Sequence, residues 1–197
     1  MSEAVSALGG RVAEPRPGLA IRDMGLRGQI TLKADLTEPA VATAVETVAH
    51  VPLPSKLSAA FAEDGRGAVW MAADEMLIFV PKAEVSAALE ALEAALADLH
   101  HMALDVSDAR AVLRLSGRPV AEVLAKGAPV DLRASAFPVG RARRTHLAGL
   151  AVGLWRRGED DWDIVCFRSY AHHLFDWLVR VGGEGAAVDH PPMGSEA

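Results

Sequence analysis

Two histidine pairs, one cysteine and one acidic pair are the side chains here whose types invite chemistry: His100-His101, His172-His173, Cys166, and Asp105 with Asp108. Adjacent residues on a helix or strand point away from each other, so neither histidine pair makes a shared metal site by itself. The spacings HExxH and CxxC are absent from the sequence, and with them the usual zinc signatures. Cys166 lies between Val165 and Phe167 in an apolar strand, where it reads as a small core residue and not as an activated thiolate. Asp105 and Asp108 flank Ser107. A carboxylate pair can serve acid–base work, but Asp and Ser also supply the hydrogen bonds of a strand end, and no partner base or nucleophile can be named. Gly9-Gly10 precedes no strand–helix unit and Gly65-Arg66-Gly67 opens a strand instead of following one, so no autonomous dinucleotide site is expected.

The basic residues concentrate at Arg141, Arg143, Arg144, Arg156 and Arg157, before an acidic turn at Glu159 to Asp163. Cross-strand charge pairs on a solvated face explain this arrangement. A contact with an acidic partner subunit is the alternative reading, because arginine anchors interfaces. Trp70, Trp155, Trp162 and Trp177 read as core, with one or two available as contact residues.

The 197 residues suffice for one substantial core, and 51% hydrophobic content is that of a globular chain. A formal net charge of −6 argues against nucleic acid, whose phosphates need a positive field. One cysteine permits no internal disulfide, and the first residues show no signal peptide, so the expected location is the cytoplasm. No window approaches a membrane-spanning length of apolar residues.

The elements that must carry these groups follow from periodicity. Residues 1 to 27 hold Gly9, Gly10, Pro15, Pro17 and Gly18 and read as a flexible arm. The folded domain is expected over 28–182, and a disordered tail over 183–197. A strand at 29–33 leads to a helix from Pro39 to about His50, stopped by Pro52 and Pro54. Strands at 69–71 and 76–80 flank a tight connection. Val85, Leu89, Leu92, Leu96 and Leu99 mark one face of a helix over 84–99. Strands at 102–106 and 111–115 follow, with Asp108-Ala109 near the turn. A short helix over 119–126 is stopped by Gly127. One long strand over 143–156 is expected to return through 162–168. A last helix from Tyr170 to Val181 has Ser169 as its cap and Tyr170, Leu174, Trp177, Leu178 and Val181 as its stripe. Hairpins mixed with helical crossovers predict an α+β fold, with mixed or antiparallel sheets backed by helices. No internal sequence repeat is found.

From Met102 to Val179 the chain resembles the gamma subunit family of heterotetrameric sarcosine oxidase. The resemblance rests on Asp105-Val106-Ser107, Leu113 to Gly117, Lys126-Gly127, Asp131-Leu132, Phe137-Pro138-x-Gly140, Thr145, Arg168-Ser169-Tyr170 and Trp177-Leu178. Upstream, Trp70-Met71-Ala72-Ala73-Asp74-Glu75 is similar to the family's Trp-x-x-x-Asp-Glu segment. The family commonly has a cysteine where this chain has Ala128, so any role of that thiol does not carry over. The resemblance implies ferredoxin-like elements similar to the folate-binding fold of aminomethyltransferases. It also implies a complex with alpha and beta flavoprotein subunits and a small delta subunit. The expected FAD, FMN, NAD and tetrahydrofolate belong to those partners, with no catalytic, cofactor or metal residue in this chain. The complex would demethylate sarcosine oxidatively to glycine, passing the one-carbon unit to tetrahydrofolate or releasing formaldehyde. The alternatives are the small subunit of a related N-methylglutamate dehydrogenase and a stand-alone folate or one-carbon binding protein. For the partner interface, the expected residues are Arg168, Tyr170, Arg143 and Arg156.

Overall fold

The computed structural model describes residues 4–184. Its first elements fall where a loose arm is expected. Strands β1 (Val12–Arg16) and β2 (Leu19–Asp23) form an antiparallel hairpin. Leu19 and Ile21 are 2% and 0% exposed, and burying two such side chains stabilises by about 1.5–3 kcal/mol each. The flexible arm over 1–27 is therefore corrected to a hairpin at a sheet edge. The residues read as breakers have positional roles. Gly18 takes φ 76 in the turn, and Pro15 lies within a register shift of edge strand β1, where a missing N–H is tolerated. The tail expected over 183–197 lies, beyond Glu184, outside the described residues.

Strand β3 (Gly28–Lys33) and helix α1 (Pro39–Ala49) follow as expected. Pro39 occupies the first turn, where its fixed φ suits the helix, and His50 ends it in a left-handed conformation. Val41, Ala44, Val45 and Val48 recur at helical spacing and are buried. A short strand β4 (Ala59–Phe61), not anticipated, precedes β5 (Gly67–Ala72) and β6 (Glu75–Val80). Helix α2 (Val85–Ala95) is shorter than the expected 84–99. Its chain turns at Leu96, which remains fully buried, and then enters β7 (Met102–Asp105). Strand β8 (Arg110–Ser116) is followed by helix α3 (Val120–Ala125).

The long strand expected over 143–156 is two strands, β9 (Ala142–Leu147) and β10 (Leu150–Arg156). Between them Ala148 and Gly149 have φ 54 and 80. Positive φ at both central residues is the two-residue hairpin geometry that matches strand twist. Ala-Gly lacks the Asn or Asp that usually announces it. Strand β11 (Asp161–Phe167) and helix α4 (Ala171–Gly182) are the last elements among the described residues. Ser169 makes no capping bond to α4. The buried face of α4 is Ala171, Leu174, Phe175 and Leu178, so Tyr170 falls off the stripe assigned to it and is exposed.

One sheet has the order β1-β2-β8-β11-β10-β9, the other β4-β5-β6-β3-β7. All neighbouring strands are antiparallel. The run β3-α1-β5-β6-α2-β7 has the spatial order β7-β3-β6-β5, a ferredoxin-like arrangement. The second half repeats it: β8-α3-β9-β10-β11-α4 has the same connectivity as β3-α1-β4-β5-β6-α2. The place that β7 takes beside β3 is taken beside β8 by β2, from the start of the chain. The expected turn at Asp108-Ala109 is thus the crossing between two similar units. Helices α1 and α2 pack on the outer face of one sheet, and α3 and α4 on the outer face of the other. The inner faces meet through Val69, Met71, Leu77, Phe79, Val112, Ala142, Trp155 and Val165. The result is an α+β sandwich in which both faces of each sheet are covered, so central strands are apolar on both sides.

The N-terminal hairpin is held by backbone contact. A Cβ placed at Gly117, where φ is 120, would lie 1.8 Å from the Gly18 carbonyl oxygen. Gly117→Ala should therefore detach the hairpin, costing more than the usual 1–3 kcal/mol of a strained residue. The check is a lowered unfolding midpoint with faster amide exchange across residues 12–23 than in β5 and β6.

Candidate functional site

The layer between the sheets is apolar in the middle and ionic at its two ends. Alternation along β8 sends Ala111, Leu113 and Leu115 towards α3 and α4, and Arg110, Val112 and Arg114 towards the other sheet. At one end Arg114 grips Asp163 on β11 with two bonds of 2.7 and 2.8 Å. The two residues are directly paired across the strands. Asp163 is 4% exposed, and its hydrogen bonds raise the Arg114 pKa above the ordinary value. Arg157 approaches the same carboxylate at 3.8 Å. Burial pulls Arg27 and Arg157 below the usual guanidinium range, against the attraction of Asp163. Between the ends, Phe61, Phe79 and Trp155 form a mutually packed trio with centroids 5.5–5.9 Å apart.

At the other end Glu75 lies 3.7 Å from Arg110 and 3.5 Å from Arg144. Arg110 also reaches the Thr31 hydroxyl at 3.4 Å. This end opens to solvent through a cavity of about 60 Å³ walled by Met71, Gly153, Val165 and Phe167. Phe167 sits directly across from Arg110, and Leu104 directly across from Thr31. Phe167 is 53% exposed, Leu104 53%, Met102 43% and Tyr170 42%. Phe167 and Tyr170 meet edge to face at 6.5 Å and 75°. An open groove beside them is lined by Ala109, Arg168, Ser169 and His172. Large apolar groups thus stand around charged ones at this rim.

Of the four residues expected at a partner interface, the structure brings Arg168 and Tyr170 together at this corner. The Arg168 guanidinium donates to the Val5 carbonyl at 2.9 Å, and its amide donates to Ala109. Arg156 lies at the far end of β10, donating to the carbonyls of Phe137, Gly158 and Glu159. Arg143 lies on β9 opposite Leu154, on the face away from the other sheet. Neither joins the corner. The acidic turn is matched chiefly from β8, through Arg114, and not from the 141–157 cluster alone. Arg110, Arg114 and Phe167 are the residues that sequence reasoning passed over. A lone arginine within the apolar alternation of Ala111 to Leu115 is the signal that could have found Arg114.

The other chemistry-bearing residues have structural settings. The Asp105 carboxylate accepts from the Ser107 amide at 2.8 Å and from its hydroxyl. Burial works against its ionisation, but these bonds and Lys82 keep its pKa below the ordinary value. His101 contacts the Leu99 carbonyl and Glu93. Among the described residues, no group of three or more His, Cys, Asp or Glu is placed to hold a metal, and no helix is long and apolar enough to cross a membrane. Trp155 and Trp162 are core, each 1% exposed.

A sequence profile described as the sarcosine oxidase, gamma subunit family, matches residues 33–184. The chain belongs to the sarcosine oxidase gamma subunit family. It is 35% identical over 169 residues to the sarcosine oxidase subunit gamma of Corynebacterium sp. strain P-1, covering 85% of this chain and 81% of that one. Against the subunit gamma of strain U-96 it is 38% identical over 125 residues, 64% of this chain and 60% of the relative. Less than two thirds of that relative's length is thus spanned. A chain of the heterotetrameric sarcosine oxidase of Corynebacterium sp. U-96, solved with pyrrole 2-carboxylate, superposes with TM-score 0.78 at 32% identity over 91% of both chains. The glycine cleavage aminomethyltransferase T of Bartonella henselae shares the fold: TM-score 0.62 at 14% identity, over 87% of this chain and 54% of that one. The expected folate-binding-like α+β fold of the gamma subunit family is therefore observed.

Cys166 provides a chemical check on the packing. It is free, buried on the α3 and α4 side of β11, and burial pushes its thiol from 9.0 up to about 11. A raised folded-state value favours the neutral thiol, so its contribution is complete below pH 9 and fades as pH rises towards 11. Its size is about 3 kcal/mol at most. A thiol reagent at pH 8 should leave the native chain unmodified and label the unfolded chain fully. Between pH 9 and 11 the wild-type unfolding midpoint should fall faster than that of Cys166→Ala.

Proposed function

We propose that this chain is the gamma subunit of a heterotetrameric sarcosine oxidase and that its task there is structural: to dock, not to catalyse. The observation that carries this reading is the superposition across nine tenths of both chains on a component of such a complex. The setting of the reactive groups supports it. The one thiol is buried and neutral, Asp105 is tied to Ser107 and Lys82, Glu75 binds Arg110 and Arg144 from one sheet to the other, and Asp163 is held by Arg114 within its own sheet. In this reading the partners are alpha and beta flavoprotein chains and a small delta chain. They hold the FAD, FMN, NAD and tetrahydrofolate. The assembly converts sarcosine to glycine, with the one-carbon unit leaving on tetrahydrofolate or as formaldehyde.

The docking surface in this reading is the corner of Arg168 and Tyr170, extended by Phe167 and by Leu104 on edge strand β7. Exposed aromatic and aliphatic groups give such a surface its apolar centre, and arginine its rim. The open edge of β7 adds unpaired backbone groups that natural sheets rarely leave uncovered. Arg143 and Arg156 stand outside this surface.

Two measurements test the proposal. The purified chain should be colourless and should not oxidise sarcosine, while co-expression with its genomic neighbours should yield a coloured complex containing it. A flavin band carried by the chain alone through gel filtration defeats the structural reading. Within the complex, Phe167→Asp and Tyr170→Asp should each weaken co-purification by about tenfold or more, a loss of about 1.4 kcal/mol or more. Both side chains are exposed, so the isolated variants should keep the wild-type unfolding midpoint. Normal assembly of both variants would move the interface elsewhere.

A further inference from the structure

At the open end of the layer between the sheets, two arginines share one carboxylate. Arg144 on β9 and Arg110 on β8 approach Glu75 at 3.5 and 3.7 Å. A charge-assisted pair closes to about 2.7–2.9 Å, as Arg114 and Asp163 do. Glu75 thus serves both guanidinium groups and grips neither closely. Burial holds Arg110 below the ordinary guanidinium range; Glu75 opposes this, and the charge of Arg144 adds to it. The side chain of Glu75 is 11% exposed, that of Arg110 16% and that of Arg144 55%. The surplus positive charge therefore lies on the open side of the cluster.

The sequence of β10 leaves a pit beside them. Gly153 stands directly across from Arg144 on one strand and from Val165 on the other. Ala151 lies two residues earlier, on the same face. A Cβ at Gly153 would come within 2.9 Å of Val165 and 3.4 Å of Met71. The cavity of about 60 Å³ fills this place, and its charged lining is Arg110 and Arg144. Among the described residues, no acidic side chain lines it. One water needs about 10–15 Å³, so the cavity has room for a few heavy atoms. A site that encloses a whole small molecule takes about 300–1,000 Å³. The space suits the head of one side chain. Its mouth carries Phe167, which is 53% exposed. A free ion would leave that ring wet, whereas a polypeptide bearing the anion would cover it.

We propose that a partner subunit inserts one carboxylate side chain, Asp or Glu, into this cavity, between the guanidinium groups of Arg110 and Arg144. The inference rests on the docking surface proposed around Phe167 and Tyr170, and names the polar contact within it. The segment that carries the carboxylate covers Phe167, which sits directly across from Arg110. A guanidinium fork matches a carboxylate in shape, and exclusion of water by the covering segment strengthens the attraction. One charge thereby fixes where the partner sits on an otherwise apolar rim.

The test uses the complete assembly, co-expressed and purified through its partner chains. Arg144→Gln should weaken retention of this chain by about tenfold, whereas Arg144→Lys should keep most of it. In isolation both variants should stay folded, because the side chain is more than half exposed. The Arg144→Lys complex is then treated with a water-soluble carbodiimide, which joins an amine to a carboxylate in direct contact with it. Peptide mass mapping should find position 144 joined to an Asp or Glu of a partner subunit. A link to Glu75 alone, no link at all, or normal assembly of Arg144→Gln overturns the proposal. Should Arg144→Gln fail to fold, the cross-link in the Arg144→Lys complex decides. If Phe167→Asp and Tyr170→Asp weaken assembly while Arg144→Gln does not, the rim docks without this carboxylate and only the present inference falls. If the wild-type chain joins no partner, both fall.

Discussion

Everything in this molecule rests on the face-to-face contact of two antiparallel sheets. Each sheet has helices on its outer face, so neither inner face meets water except at the rim. That constraint puts apolar side chains on both sides of β6, whose six residues are all buried. It also forces any charge in the contact to be paired. Arg114 and Asp163 satisfy this by standing directly across from each other on neighbouring strands, with two short bonds. Removing one partner of such a pair leaves a buried charge, a loss of about 3–5 kcal/mol. Replacing both by apolar groups need cost little. The pair is therefore better understood as fixing the register of β8 on β11 within one sheet than as a net source of stability.

The two ends of that contact have separated in character. One is closed, aromatic and strongly basic, with Arg157 and Trp155 turned inward. The other is open, with Arg110 and Arg144 sharing Glu75 at 3.5–3.7 Å. Around the open end stand the exposed Phe167, Tyr170 and Leu104. The same alternation that buries Val165 puts Phe167 on the inner face, just past the cover of the opposite sheet. Exposure here follows from where one sheet stops overlapping the other. Subunit docking at this rim would extend the interior that the two sheets begin.

The repeat of one connectivity in both halves gives the fold a further logic. In the first unit, β7 returns after α2 to lie beside β3. In the second, α4 is the last element among the described residues, and the equivalent place beside β8 is filled by β2. An N-terminal segment that looks dispensable thus completes the second sheet. Gly182 and Gly117 show how closely it is fitted. A Cβ at Gly182 would come within 2.7 Å of Leu19, and one at Gly117 would meet the Gly18 carbonyl.

Taken alone, the residues determined the α+β class, most helices and strands, the core character of Cys166 and Trp162, and the turn role of Asp105 and Ser107. These are local: the spacing of Val41, Ala44, Val45 and Val48, or the alternation of Ala111 to Leu115, is written into consecutive residues. The motifs from Trp70 to Leu178 carried the family resemblance for the same reason. Tertiary structure alone decided three things. It placed β1 and β2 in a sheet, because Pro15 and Gly18 are breakers until an edge and a turn give them a position. It split 143–156 at Ala148, because positive φ there is imposed by pairing Leu147 with Leu150. And it chose among the arginines: Arg156 turned to carbonyls, Arg168 to the corner, and Arg114 and Arg157 to the buried carboxylate. A charged side chain's role is set by the neighbours that folding brings to it, and for Arg114 that neighbour, Asp163, is 49 residues away in sequence.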